Sequence, residues 1–114
     1  MAPWLTPWKV QLDPVAEKEL KARLNDKRIS SEDLAVIKAW VSTIEENGPD
    51  FIATKAAAHW NDHPLFGDRS GQRSSSFSDV GRIIYRVNAE KNVIEVLRIT
   101  EDHDYSTDKG GKKK

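Results

Sequence analysis

Two runs near the C-terminal end, "GRIIYRV" (81–87) and "VIEVLRI" (93–99), constrain the fold of this chain more than any other feature. Both are dense in β-branched and aliphatic residues, and the link between them, "NAEKN", has hairpin length. Successive side chains of a strand point to opposite faces. The first run therefore puts Ile83, Tyr85 and Val87 on one face and Arg82, Ile84 and Arg86 on the other. The same alternation in the second run sets Val93, Glu95, Leu97 and Ile99 opposite Ile94, Val96 and Arg98. A hairpin with so much apolar surface is not stable alone in water and needs further layers.

The upstream sequence supplies them. "PWKVQL" (7–12) predicts a short strand in which Trp8, Val10 and Leu12 alternate with Lys9 and Gln11. Asp13 can cap a helix whose first position is Pro14, where a missing N–H costs little. That helix carries Ala16, Leu20 and Leu24 on one face. Ser30 and Asp33 have capping-box spacing and open a second helix with Leu34, Ile37, Val41 and Ile44 as its apolar stripe and Trp40 at the flank. Asn47-Gly48-Pro49 ends it. Between 50 and 71 periodicity is weak: "FIATKAAAHW" predicts a short helix and "NDHPLFGDRSG" a loop. "QRSSSF" is a further, polar strand.

The order β-α-α-β-β-β defines an α+β domain, with both helices on one face of a twisted, mostly antiparallel sheet. The opposite face is expected to carry Arg82 and Arg86, with Arg73 or the neighbouring serines beside them. A chain of 114 residues holds one core, so 1–106 is read as a single domain and the polar tail 107–114 as disordered. No apolar run approaches the ~20 residues that span a bilayer, and the N-terminus lacks the pattern of a secretory signal. A cytoplasmic protein without a membrane role is expected. The absence of cysteine excludes disulfides, thiolate chemistry and cysteine-based zinc sites.

Net charge is zero, so the overall balance carries no sign of a nucleic-acid binder. The local balance is different: from Asp68 to Arg86 four arginines (Arg69, Arg73, Arg82, Arg86) stand against two aspartates (Asp68, Asp79). Arg82 and Arg86 need a counter-charge. It is either a carboxylate among Asp79, Glu95 and Glu101, or a phosphate, whose oxygens suit the guanidinium fork. His103 and Tyr105 follow the last strand at i, i+2 and share a face if that strand continues. Arginine for charge, histidine for proton transfer and tyrosine for orientation suit phosphodiester cleavage by a neighbouring 2′-hydroxyl. The alternative is a solvated chain end. His59 and His63 have the spacing of helix-borne metal ligands, but Pro64 breaks such a helix, and neither metal nor cofactor is expected. The sequence has no GxSxG elbow, P-loop or GxGxxG. The tryptophans Trp4, Trp8, Trp40 and Trp60 read as core and interface residues.

The stretch from Asp62 to Tyr105 resembles the C-terminal half of the RelE/ParE superfamily of toxins from type II toxin–antitoxin pairs, in particular the HigB and YoeB/YafQ branches. The matching parts are His63-Pro64-Leu65-Phe66-Gly67, Gly71, Arg82-Ile83-Ile84-Tyr85 and His103-Asp104-Tyr105, while "DPVAEKELKARL" and the two-helix order match more loosely. The resemblance implies two helices on a twisted sheet and a metal-independent endoribonuclease that cuts mRNA in the ribosomal A site. It implies Arg82, His103 and Tyr105 as catalytic residues, and Arg73, His63 and Asp104 as substrate-binding ones, to which the phosphate-clamp reading of the strand adds Arg86. Its implied partners are a cognate antitoxin, the ribosome and mRNA, with DNA reached only through the antitoxin. The chain departs from the pattern in its neutral charge and in the serines of "QRSSSF", where several relatives carry lysine or arginine. "IEVLRI" also resembles the ParE branch, whose members poison DNA gyrase, although those chains do not typically end in "HDY".

Overall fold

Local chemistry sets where each element starts and stops. In the computed structural model, which describes residues 8–101, strand β1 (Lys9–Leu12) leads into helix α1 (Pro14–Asn25), and the Asp13 carboxylate accepts from the Val15 N–H at 3.0 Å. Helix α2 (Ser31–Asn47) starts on a reciprocal capping box, with Asp33 N–H donating to Ser30 Oγ at 3.0 Å and Ser30 N–H donating to the Asp33 carboxylate at 3.3 Å. Gly48 stops it at φ 86°, and Pro49 opens the short helix α3 (Pro49–Ile52). A 3-10 segment, Lys55–Trp60, precedes β2 (His63–Pro64), and a 3-10 turn, Gly67–Arg69, precedes β3 (Arg73–Ser76). Strands β4 (Arg82–Asn88) and β5 (Val93–Thr100) complete the chain's described part. No helix among the described residues is long and apolar enough to cross a membrane.

The strands form one five-stranded sheet in the order β1-β5-β4-β3-β2. Strands β2 to β5 are an antiparallel meander, and β1 lies parallel to β5 from Lys9↔Val93 to Leu12↔Val96. The α+β order expected from the sequence is present. The weakly patterned region differs from expectation in holding 3-10 turns and a two-residue strand, β2, where a short helix and a loop were predicted.

Both long helices cover the same sheet face. Ala16, Leu20 and Leu24 of α1 and Ile37, Trp40, Val41 and Ile44 of α2 pack with Ile83, Tyr85, Val87, Ile94, Val96 and Ile99. Trp40 is the centre of the α2 stripe rather than its flank: it is fully buried and meets the Tyr85 ring edge-on, with centroids 5.2 Å apart. The sequence alternation fails at one point in β5. Tyr85 pairs with Val96 and Ile84 with Arg98, which leaves Leu97 as an extra residue. Beyond this bulge the phase inverts, so Ile99 joins Ile94 and Val96 in the core while Arg98 and Thr100 pair with Ile84 and Arg82 on the outer face.

Register also corrects the placement of Arg73. It pairs with Tyr85, and Ser75 pairs with Ile83, so both face the helices; Ser74 and Ser76 pair with Ile84 and Arg82 and face outward. Arg73 thus lies on the opposite face from Arg82 and Arg86.

The loop between β3 and β4 depends on Gly81. Its N–H donates to Ser78 Oγ at 2.9 Å and its carbonyl accepts from Phe77 N–H at 3.1 Å. A Cβ at this position would fall inside the contact envelope of the buried Phe77 ring. Gly81→Ala should therefore lower stability by about 1–3 kcal/mol through forced displacement of that ring, read as a lower urea midpoint with unchanged slope.

Candidate functional site

Two polar constellations occupy the two sheet faces, and they differ in what they leave open. On the helix face, the αL residue Asn61 ends the 3-10 segment and delivers Asp62 into the core, where its side chain has no exposure. Arg73 donates from both Nε and NH2 to Asp62 Oδ2 at 2.7 Å. Ser75 Oγ and the Tyr85 hydroxyl both donate to Oδ1, the serine bond measuring 2.9 Å. Trp40 Nε1–H donates in turn to Ser75 Oγ at 2.9 Å. Each carboxylate oxygen accepts twice, so the buried charge is fully hydrogen-bonded. Burial, reinforced by the hydrogen bond and the charge of Asp62, pushes the Tyr85 phenol well above its usual range. Burial alone would lower the Arg73 guanidinium, but its hydrogen bond to Asp62 and the carboxylate charge outweigh that and shift it upward.

The outer face carries Arg82, Arg86 and His63. Arg82, on the central strand, donates from NH1 to the carbonyls of Ser78, Asp79 and Gly81 at 3.2, 3.3 and 2.8 Å. These bonds fix the guanidinium, yet no carboxylate among the described residues neutralises it. Arg86 has the ionic partner that spacing suggested: its Nε donates to Glu95 Oε1 at 2.8 Å, and that bond holds the Glu95 carboxyl below its ordinary value. Glu101 pairs with Arg23 and Arg28 instead. His63 pairs with Ser74 across β2 and β3. Its Nδ1 lies 2.9 Å from the Asn61 carbonyl, which can only accept, so Nδ1–H is the donor of that bond. Nε2 of His63, Oγ of Ser74 and Oγ1 of Thr100 are buried with no hydrogen-bond partner among the described residues.

The structure thus brings Arg82, Arg86 and His63 to one face and removes Arg73 to the other. His103, Asp104 and Tyr105 lie outside the described residues. Thr100, three positions before His103 in the sequence, is the cross-strand partner of Arg82. His59 sits in the 3-10 segment beside Trp60, on a different element from His63, and no cluster of metal-binding side chains occurs among the described residues. Sequence reasoning missed Asp62, Ser75 and Thr100; an acidic residue between two apolar segments was the available signal for the first.

No family model and no curated protein matches the sequence. Solved structures match the fold. YafQ from E. coli strain BL21(DE3) superimposes with a TM-score of 0.66 at 15% identity, over 86% of this chain and 97% of its own. A metal-bound toxin from Helicobacter pylori gives 0.65 at 17% identity, over 86% and 97%. The toxin–antitoxin complex RelBE2 from Mycobacterium tuberculosis gives 0.60 at 18% identity, over 85% and 100%. The fold is therefore the one shared by these toxin structures.

The buried network has two measurable consequences. Asp62→Ala leaves Arg73 and Tyr85 without their shared acceptor and should lower stability by about 3–5 kcal/mol in urea denaturation. Because the Tyr85 pKa is raised in the fold, its contribution is complete below the unfolded value of about 10 and is lost as pH rises beyond it. Tyr85→Phe should abolish that alkaline loss of stability, seen as a flatter dependence of the urea midpoint on pH.

Proposed function

We propose that this chain is the toxin of a type II toxin–antitoxin pair and a metal-independent endoribonuclease that cuts mRNA in the ribosomal A site. The observation that carries this reading is Arg82: a guanidinium on the central strand, held in place by three carbonyls, on the face away from the helices, with no carboxylate partner among the described residues. A fixed cation without a counter-ion suits a phosphate. The fold supports the toxin role, since the RelBE2 and DinJ–YafQ neighbours are described as toxin–antitoxin complexes.

In the proposed reaction the ribose 2′-oxygen attacks the adjacent phosphorus and the bond to the 5′-oxygen breaks. A 2′,3′-cyclic phosphate and a 5′-hydroxyl result. Arg82 neutralises the charge that gathers on the phosphoryl oxygens, His103 transfers the proton and Tyr105 orients the reacting oxygen. His63, Arg86 and Asp104 flank the RNA. In the sequence His103 stands three positions after Thr100, the residue paired with Arg82. Arg73, bound to Asp62 on the other face, serves the core instead. The partners are a cognate antitoxin and the mRNA-loaded ribosome in the cytoplasm, with DNA contacted only through the antitoxin.

Brief induction without antitoxin, with parallel pulse-labelling of protein and DNA, tests this. Protein synthesis should fall first, and Arg82→Ala or His103→Ala should relieve the arrest, with His103→Ala reducing mRNA cleavage roughly 10²–10⁴-fold. DNA synthesis falling first would overturn the nuclease reading in favour of a ParE-type gyrase poison, a class consistent with the neutral charge and the YoeB/ParE neighbour. An accumulated, folded wild type that arrests nothing would mark a relative that has kept only its binding surface.

A further inference from the structure

We propose that the cleft at the open edge of β3, beside Arg82, is a nucleobase pocket that favours a base with an exocyclic amino group over uracil. This rests on the nuclease reading above, and the base is that of a nucleotide next to the bound phosphate. The cleft has a volume of about 280 Å³. Val36 of α2, Trp60 and Phe77 give it an apolar wall, and the rest of its lining is polar, the usual make-up of a small-ligand site. The imidazole of His59, an exposed residue in that lining, leans on the buried Trp60 ring, with centroids 4.7 Å apart and planes at 41°. This packing supports His59 as a flat surface on which a base can stack.

Two groups in the cleft have unused hydrogen-bonding capacity. The first is the carboxylate of Asp79, an exposed residue. Arg82 takes the Asp79 carbonyl at 3.3 Å, yet the carboxylate itself has no ionic or hydrogen-bond partner among the described residues. The second is the backbone of Ser76. Strand β2 pairs only with Arg73 and Ser74, so the edge of β3 beyond them is open. Phe77 N–H donates to the Gly81 carbonyl at 3.1 Å, and hydrogen-bonded pairs alternate with non-bonded ones along an antiparallel ladder. Ser76, next to that bonded pair, therefore turns its N–H and carbonyl away from β4 and towards the open edge. A carboxylate accepts from the amino group of adenine, cytosine or guanine. It opposes the O4 of uracil, since both groups can only accept. The backbone joins this cleft to the phosphate site. Ser76 is the cross-strand partner of Arg82, and the carbonyls of Ser78 and Asp79, both in the cleft lining, fix the guanidinium. A phosphate on Arg82 and a base in the cleft are then adjacent parts of one RNA strand.

The test has two arms, both on the full chain. In the first, the 5′-monophosphates of adenosine, cytidine, guanosine and uridine are titrated in turn and followed by the NMR shifts of the backbone amides. The amides of His59, Trp60, Ser76 and Asp79 should respond to the first three and least to the uridine compound. His59→Ala should weaken all four alike, roughly fivefold or more, because stacking tolerates any base. In the second arm, mRNAs on programmed ribosomes differ at one base of the A-site codon. At one codon position kcat/KM should be roughly 10-fold lower for uracil than for the other bases. Asp79→Ala should bring the four bases to a common rate, and Asp79→Asn, whose amide can donate, should raise uracil relative to the others. Melting temperatures within a few degrees of wild type show that the fold is retained. Shifts that avoid these residues, cleavage indifferent to uracil at every codon position, or a preference that survives Asp79→Ala would each overturn the pocket. If Arg82→Ala still abolishes cleavage in that case, the nuclease reading stands without it. A wild type that cuts no mRNA overturns the nuclease reading, and the titration then decides the pocket by itself.

Discussion

The Asp62 carboxylate organises the interior. A fully buried charge is tolerated only when its lone pairs are occupied, and here the occupants come from separate parts of the chain. Arg73 and Ser75 lie on β3, Tyr85 lies on β4, and Trp40 of α2 is joined through Ser75. One acid thereby fixes the 3-10 segment, the third strand, the central strand and the longest helix against one another. That matters because residues 53–62 have little apolar periodicity with which to find their place. Their position depends on Ile52, Ala57 and Trp60 in the core and on the acid that follows them.

Removing Arg73 to the interior leaves the outer face with a distinct character. Asp62 and Arg73 neutralise each other on the helix side, while Arg82 is met by backbone carbonyls and by no carboxylate among the described residues. The Leu97 bulge governs this division. Without an extra residue in β5, Thr100 and Arg98 would turn towards the helices and Ile99 would leave the core. A single inserted residue thus decides both that Ile99 is buried and that Thr100 stands beside Arg82.

Features set by near neighbours in the chain are legible in the residues themselves. The caps at Asp13 and Ser30, the stop at Gly48-Pro49, strand β1 and the β4–β5 hairpin all follow from local chemistry, and all occur. The features that sequence does not reveal share a dependence on distant partners. A two-residue strand containing Pro64 has no period to detect. The bulge at Leu97 is invisible because the sequence alternates smoothly through it, and the break exists only relative to β4. Arg73 reads as an outer-face residue by its kinship with Arg82 and Arg86, whereas its side is decided by pairing with Tyr85. Trp40 reads as peripheral because Tyr85 and Ser75, the residues it packs on, are remote in sequence. Of the candidate site, Arg82 and Arg86 are readable from alternation, and the buried acid that excludes Arg73 is not.

The edges of the sheet carry a consequence for how copies of this chain behave in concentration. With a formal net charge of +0 at pH 7, no long-range repulsion keeps molecules apart. Dispersion must then come from a lack of templates for association. Among the described residues the sheet ends in β1, four residues long, and in β2, which has two residues, one of them a proline without an N–H. Past the end of β1, the Ile99 N–H of β5 is taken by Glu19 instead of standing open. The neutral formal charge is thus accompanied, among the described residues, by sheet borders that offer little open backbone for another strand to pair with.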